Sequence, residues 1–176
     1  ITASTVGANA IQIQTRRPCS GNGCDGAGET WATKAQWTVV ADPTAPSLNV
    51  ATPASGTTVC AGATVSATFN AGSGGTGCGD EYQYSTNGGG TWAAYTPGNN
   101  ITASTTGANA IQIQTRRPCS GNGCDGAGET WATKAQWTVV ADPTAPSLNV
   151  ATPASGTTVC AGATVSATFN AGSGGT

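Results

Sequence analysis

The chain has 176 residues, a formal net charge of -2 and only 8% charged residues, against roughly 25% in an ordinary soluble domain. This composition offers no basic surface for nucleic acid, and no apolar run reaches the roughly 18 residues that a membrane-spanning helix needs. Because the sequence contains no His, catalytic triads based on that residue are also excluded.

The sequence contains an internal repeat, which begins at residue 1 and again at residue 101. Residues 1–76 and 101–176 are identical except that Val6 corresponds to Thr106. A period of this length can bury one small hydrophobic core. The repeat therefore predicts one complete domain at 44–143, the C-terminal part of another at 1–43 and the N-terminal part of a third at 144–176. Further tandem copies of the same unit are the expected partners.

Within the complete copy, short alternating segments separated by Gly, Pro and Asn predict β-strands and turns. Val65, Ala67 and Phe69 share one face of their strand, and Ile111 and Ile113 share one face of theirs. This pattern in about 100 residues predicts an all-β fold, a β-sandwich of immunoglobulin-like (Ig-like) or fibronectin-like architecture. The seven predicted strands are 47–50, 64–70, 81–86, 91–95, 101–104, 110–117 and 130–140.

Successive copies are joined by a segment that contains two prolines three residues apart. Proline fixes its backbone φ angle and favours extended chain, so we predict a semi-rigid linker between domains. Its residues are Asp42, Pro43 and Pro46 at the first junction and Asp142, Pro143 and Pro146 at the second.

Seven cysteines in a short chain indicate an oxidising, extracellular environment. The four cysteines of a complete copy allow three pairings. Short, turn-rich loops favour the pairs Cys60–Cys78 and Cys119–Cys124, with Cys19–Cys24 repeating the second pair. A four-thiolate zinc site is the alternative, but the sequence lacks the close CxxC pairs that such sites use.

The sequence gives little support for catalysis or for metal binding. Asp80 and Glu81 are adjacent, which is poor geometry for a pair of catalytic carboxylates in a strand, and we predict no enzymatic activity. Arg116-Arg117 is interpreted as a strand end that pairs with Asp80 or Glu81. Asp125, Glu129 and Asp142 are weak candidates for a calcium site, because the loop lacks EF-hand spacing and the copy has only five acids. We predict no cofactor, with calcium as the alternative.

Carbohydrate binding is a second functional class to consider, because exposed aromatic rings stack on sugars. The candidate platform consists of Trp92, Tyr95 and Trp131. The competing interpretation is that these rings pack across strands inside the domain, and we favour it.

The segment DEYQYSTNGGGTWAAYTPGNNI, the following WTVV and the connector ADPTAPSLNVATPASGTTVCAG together resemble the Ig-like tandem repeats of very large secreted surface proteins and adhesins of bacteria, particularly the Bacteroidota. The resemblance implies a secreted or surface-attached fibre, filament or adhesin stalk. Separately, the neutral surface and short edge strands lead us to the hypothesis that chains pack against lateral neighbours in a filament. The alternative function, which rests on the aromatic candidates and on avidity between repeats, is multivalent binding of surface glycans. The resemblance itself assigns no binding residue.

Overall fold

The computed structural model describes residues 1–23, 26–122 and 124–175. Within these ranges the protein is all-β, with twelve strands, no α-helix and single 3₁₀ turns at Ala27–Glu29 and Ala127–Glu129. No helix there is long and apolar enough to span a bilayer. The chain forms two compact units. The hairpin unit contains Ile1–Ala45, Gly72–Asp80 and Arg116–Thr130, and the two-sheet unit contains Pro46–Ala71, Glu81–Thr115 and Trp131–Thr176.

The hairpin unit begins with strands β1 (Gly7–Thr15) and β2 (Ala32–Val39), which pair antiparallel. The ladder runs from Thr15 opposite Ala32 to Gly7 opposite Val39. These two strands form a sheet of their own, so the second edge of β2 is bordered by no other strand of the described residues.

The two-sheet unit contains most of the complete copy of the repeat. Three strands form one sheet in the order β3-β5-β8, and five form the other in the order β4-β10-β9-β6-β7. Most neighbours are antiparallel, whereas β4 and β10 are parallel. The strands are β3 (Ser47–Thr52), β4 (Thr58–Cys60), β5 (Thr64–Asn70), β6 (Glu81–Ser85), β7 (Ala93–Ala94), β8 (Ile101–Thr102), β9 (Gly107–Arg116) and β10 (Ala132–Val140).

One hydrophobic core is shared by both sheets. Val65 and Ala67 from the smaller sheet and Ile111, Ile113 and Trp137 from the larger one are at most 1% exposed. The buried indole Nε1 of Trp137 donates a hydrogen bond to the carbonyl of Pro53 at 2.9 Å. This arrangement is consistent with a β-sandwich, and the inward faces predicted for β5 and β9 are confirmed.

The predicted strands 81–86 and 91–95 are present as β6 and the two-residue β7, which pair antiparallel. Gln83 and Tyr84 of β6 lie opposite Ala94 and Ala93 of β7. The intervening turn has positive φ angles at Gly88 and Gly89, which glycine adopts without steric cost.

Strand β4 is an addition to the seven predicted strands. It pairs in parallel with the last strand of the copy, so that Thr58, Val59 and Cys60 lie opposite Thr138, Val139 and Val140. Its side chains alternate, because Val59 and Val139 are buried in the core while Cys60 and Val140 are only partly buried. Cys60 and Val140 therefore share the outward face of the sheet.

The C-terminal part of the chain repeats the first strand pair of the complete copy. Strands β11 (Ser147–Thr152) and β12 (Ser166–Asn170) pair in the register of β3 and β5, with Ser147 opposite Asn170 as Ser47 is opposite Asn70. Val165 and Phe169 are 62% and 64% exposed there. The local pairing thus forms without the burial seen in the complete copy.

Candidate functional site

The most elaborate structure outside the core surrounds the segment that joins consecutive copies. Residues 41–45 are contacted by the loops Gly72–Asp80 and Arg116–Thr130, all within the hairpin unit. We call these three segments the connector clamp. Both loops belong to the copy that follows the connector in the sequence, and Pro43 at its centre is buried.

The loop Gly72–Asp80 binds the connector through backbone hydrogen bonds. Thr44 N donates to Ser73 O at 2.8 Å, Ser73 N to Thr44 O at 3.1 Å, and Gly75 N to Ala41 O at 2.7 Å. Gly74 has φ +74, and a Cβ at this position would overlap the carbonyl oxygen of Asp42. Glycine is therefore required there both for its conformation and for the close approach of the two backbones.

The loop Arg116–Thr130 contacts the connector through its 3₁₀ turn. Gly128 is buried, and a Cβ on it would overlap the carbonyl of Pro43, while one on Gly126 would lie 2.9 Å from Cβ of Asp42. Glu129 shapes this loop by accepting a hydrogen bond from Cys119 N at 3.1 Å. The glycines thus let the loop pack directly on the proline.

A disulfide between Cys78 and Cys119 joins the two loops, although these residues are 41 positions apart in the sequence. Gly75 lies against both of its sulfur atoms and against Pro43. The disulfide therefore closes a covalent bridge beside the connector.

The loops are also joined by an ion pair, as predicted for the arginine strand end. The Arg117 guanidinium lies 2.6 Å from Asp80 Oδ1, with the two side chains 20% and 17% exposed. Arg117 Nε donates to Gly74 O at 3.2 Å, and Asp80 Oδ2 accepts from Gly72 N at 3.0 Å. Each charged group thus has a backbone partner besides its counter-charge.

The predicted pairing of Cys60 with Cys78 and of Cys119 with Cys124 is wrong, because the structure bonds Cys78 to Cys119. Cys60 and Cys124 are free thiols, as is the exposed Cys19, and Cys24, predicted to pair with Cys19, lies outside the described residues. The prediction assumed that nearby cysteines pair, whereas the fold brings together two loops that are distant in sequence.

The predicted linker residues occupy different environments at the two junctions. Pro43 and Pro46 are buried and Asp42 is exposed, whereas Asp142, Pro143 and Pro146 are all exposed. The second connector still meets its first loop, because Thr144 N donates to Ser173 O at 2.6 Å. A counterpart of Arg116–Thr130 for this junction is not in the sequence. At the first junction, Gly126 and Gly128 of that loop closely approach Pro43.

The aromatic residues proposed as a glycan platform do not all reach the surface. Tyr95 is 6% exposed, and its hydroxyl contacts the backbone of Ala67 and Asn99 at 2.9–3.0 Å. Its place in the platform was wrong, because this ring belongs to the core and packs edge-on against Tyr84 at 6.1 Å. Trp92 and Trp131 are half-buried.

The three candidate calcium ligands lie in different environments. Glu129 is engaged with the backbone of its own loop, while Asp125 and Asp142 are exposed. Among the residues that the structure describes, no three His, Cys, Asp or Glu side chains are grouped as metal ligands.

Comparison of the chain with protein-family models, with curated proteins and with solved structures gives no match.

Proposed function

We propose that this chain is a structural repeat of an extracellular bacterial fibre, filament or adhesin stalk. In this proposal tandem Ig-like sandwiches, each stabilised by a disulfide, are connected by joints that resist bending. The observation that carries the proposal is the connector clamp, in which two loops of the following copy contact the linker and are bonded to each other by Cys78–Cys119.

The clamp suits a mechanical role because its contacts are made by backbone. Hydrogen bonds from Thr44, Ser73 and Gly75 resist displacement of the connector without depending on side-chain rotamers. A proline in the middle of the segment reduces the number of conformations that must be excluded. A Gly/Ser linker of equal length would behave as a flexible coil instead.

The surface composition supports assembly more than catalysis. With 8% charged residues, neighbouring chains repel one another weakly, and short exposed strand edges can pair laterally. Two charged side chains of the clamp, Asp80 and Arg117, are engaged with each other. We therefore propose a non-enzymatic protein whose partners are further copies of itself.

Electron microscopy of this chain extended by further copies of the same unit tests the proposal. We expect particles of uniform width whose length grows by roughly 35–40 Å per added copy, the length of about ten strand residues and a turn. The matched control replaces residues 41–46 and each of their counterparts by Gly and Ser. If particles with the native connector are as bent and variable as the control, the proposed stiff joint is refuted.

A further inference from the structure

The last strand of the repeat occurs twice, as β2 and as β10, and the two strands differ in what borders one edge. In the complete copy, β10 is bordered by β4 and the turn before it, with hydrogen bonds from Gly56 N to Gln136 O at 2.7 Å and from Ala61 N to Val140 O at 2.8 Å. The counterpart strand β2 has the same sequence from Ala32 to Val39. Its second edge is bordered by no strand among the described residues.

A cavity of about 450 Å³ lies beside β2, within the hairpin unit, and its lining includes Ala3, Ile11 and Asp42. Trp37, Thr38, Val39 and Val40 line one part of it, and Thr76, Asn122 and Cys124 line another. Thr38, Val39 and Val40 are the counterparts of the three residues with which β4 pairs in the complete copy. The cavity thus adjoins the three residues with which the β4 segment of the preceding copy would pair.

The free thiol of Cys124 is held in this cavity by its loop. Cys124 N donates to Gly121 O at 3.3 Å, and Gly121 N donates to Thr76 O at 3.1 Å. Cys124 is 9% exposed. Its position is therefore set by contacts with the disulfide-bonded loop Gly72–Asp80.

The strand register places a second cysteine at the same cavity. Cys60 lies opposite Val140 on the outward face, and the counterpart of Val140 is Val40, which lines the cavity with Cys124. We propose that the occupant of the cavity is residues 58–60 of the preceding copy and that its Cys60 forms a disulfide with Cys124 of the following copy. This inference rests on the proposed serial array, because it requires two consecutive copies.

The bond forms by thiol–disulfide exchange. The two thiols lose two protons and two electrons, and one disulfide of an external donor, either a small-molecule disulfide or an oxidoreductase, is reduced to two thiols. All four cysteines of each copy are then used: Cys78–Cys119 within the copy, and Cys60 and Cys124 to its two neighbours. Consecutive domains would be linked covalently beside the polypeptide as well as through it.

The test uses the whole chain preceded by an added copy of residues 44–100, so that two complete copies are present. The Cys24→Ser substitution distinguishes two tryptic peptides, 17–34 and 117–134, that are otherwise identical in sequence. The protein is oxidised with oxidised glutathione, its remaining thiols are alkylated, and it is digested without reduction. We expect one disulfide-linked species containing four peptides, because the added segment bonds to both 17–34 and 117–134, and 117–134 also bonds to 35–116.

Cys124→Ser in the same background should separate this species into two linked pairs, whereas Cys160→Ser should leave it intact. Two linked pairs in the parent chain would overturn the proposal, as would a four-peptide species found only in covalent dimers on a non-reducing gel. Failure of the array itself is distinguishable, because the electron microscopy of the extended chain measures stiffness and length per copy whether or not Cys60 and Cys124 are bonded.

Discussion

Trp137 and Trp37 occupy equivalent positions in identical sequence, yet Trp137 is 0% exposed and Trp37 is 50% exposed. Their strands have the same pairing, because Ile111 lies opposite Trp137 as Ile11 lies opposite Trp37. The difference is the rest of the copy: Trp137 is covered by residues that include Pro53 and Val65, and Trp37 has no such neighbours in the hairpin unit. Pairing is therefore local in this protein, whereas burial depends on the whole repeat.

Strand formation at residues 158–160 likewise depends on the rest of the repeat. Their counterparts Thr58–Cys60 form β4 by pairing with β10, whereas 158–160 form no strand. A three-residue segment gains too few hydrogen bonds to order itself. Its conformation is thus determined by a partner strand located far along the chain.

The largest expected effect on stability is the difference between substituting Trp137 and substituting Trp37. Trp137→Ala should reduce the free energy of unfolding by roughly 3–5 kcal/mol, because it leaves a cavity in the core and removes the bond to Pro53. Trp37→Ala, the matched control, should cost about 1 kcal/mol, because half of that side chain is already in water. Urea unfolding of the full chain followed by circular dichroism measures both, and equal losses would contradict the assigned core.

The next effect concerns the disulfide of the connector clamp. The double substitution Cys78→Ser and Cys119→Ser should destabilise the complete copy by roughly 2–4 kcal/mol, because the unfolded chain is no longer cross-linked. Cys19→Ser is the control, since this counterpart of Cys119 is exposed and free. The same unfolding experiment under oxidising conditions checks this, and a wild-type midpoint in the double variant would show that the bond does not form.

A smaller effect is expected at the ion pair. Arg117→Lys keeps the charge but loses the fork that contacts both Asp80 and Gly74, and should cost about 1–2 kcal/mol, between the values for exposed and buried pairs. Arg17→Lys changes the same residue of the preceding copy, whose partner for this position is not in the sequence, and should cost almost nothing. Thermal unfolding compares the two, and a larger loss for Arg17→Lys would reverse the assignment.

The sequence was sufficient to predict the strands whose side chains alternate clearly. The bounds of 64–70 coincide with β5, and Ile111 and Ile113 share a face, which is buried in the core. The turn at Asn87 to Gly90 was identified by its glycines. These features depend on residues close together in the chain.

The features that could not be predicted depend on contacts between distant segments. The disulfide joins loops 41 residues apart, and Tyr95 is drawn into the core because its hydroxyl satisfies backbone groups of Ala67. No periodicity marks either contact. The glycines at 74, 126 and 128 were a usable signal for close packing against the connector, but only after the loops were known to meet it.

The central claim is that the following copy holds its linker in place. Comparing the two connectors tests it within one molecule. Backbone ¹⁵N relaxation of Asp42, Thr44 and Ala45 compares a connector contacted by both loops with residues Asp142, Thr144 and Ala145, which lack a counterpart of Arg116–Thr130. We predict order parameters of about 0.85 at the first connector, as in rigid backbone, and lower values at the second. Values below about 0.6 at both connectors would contradict the claim that the following copy holds its linker in place.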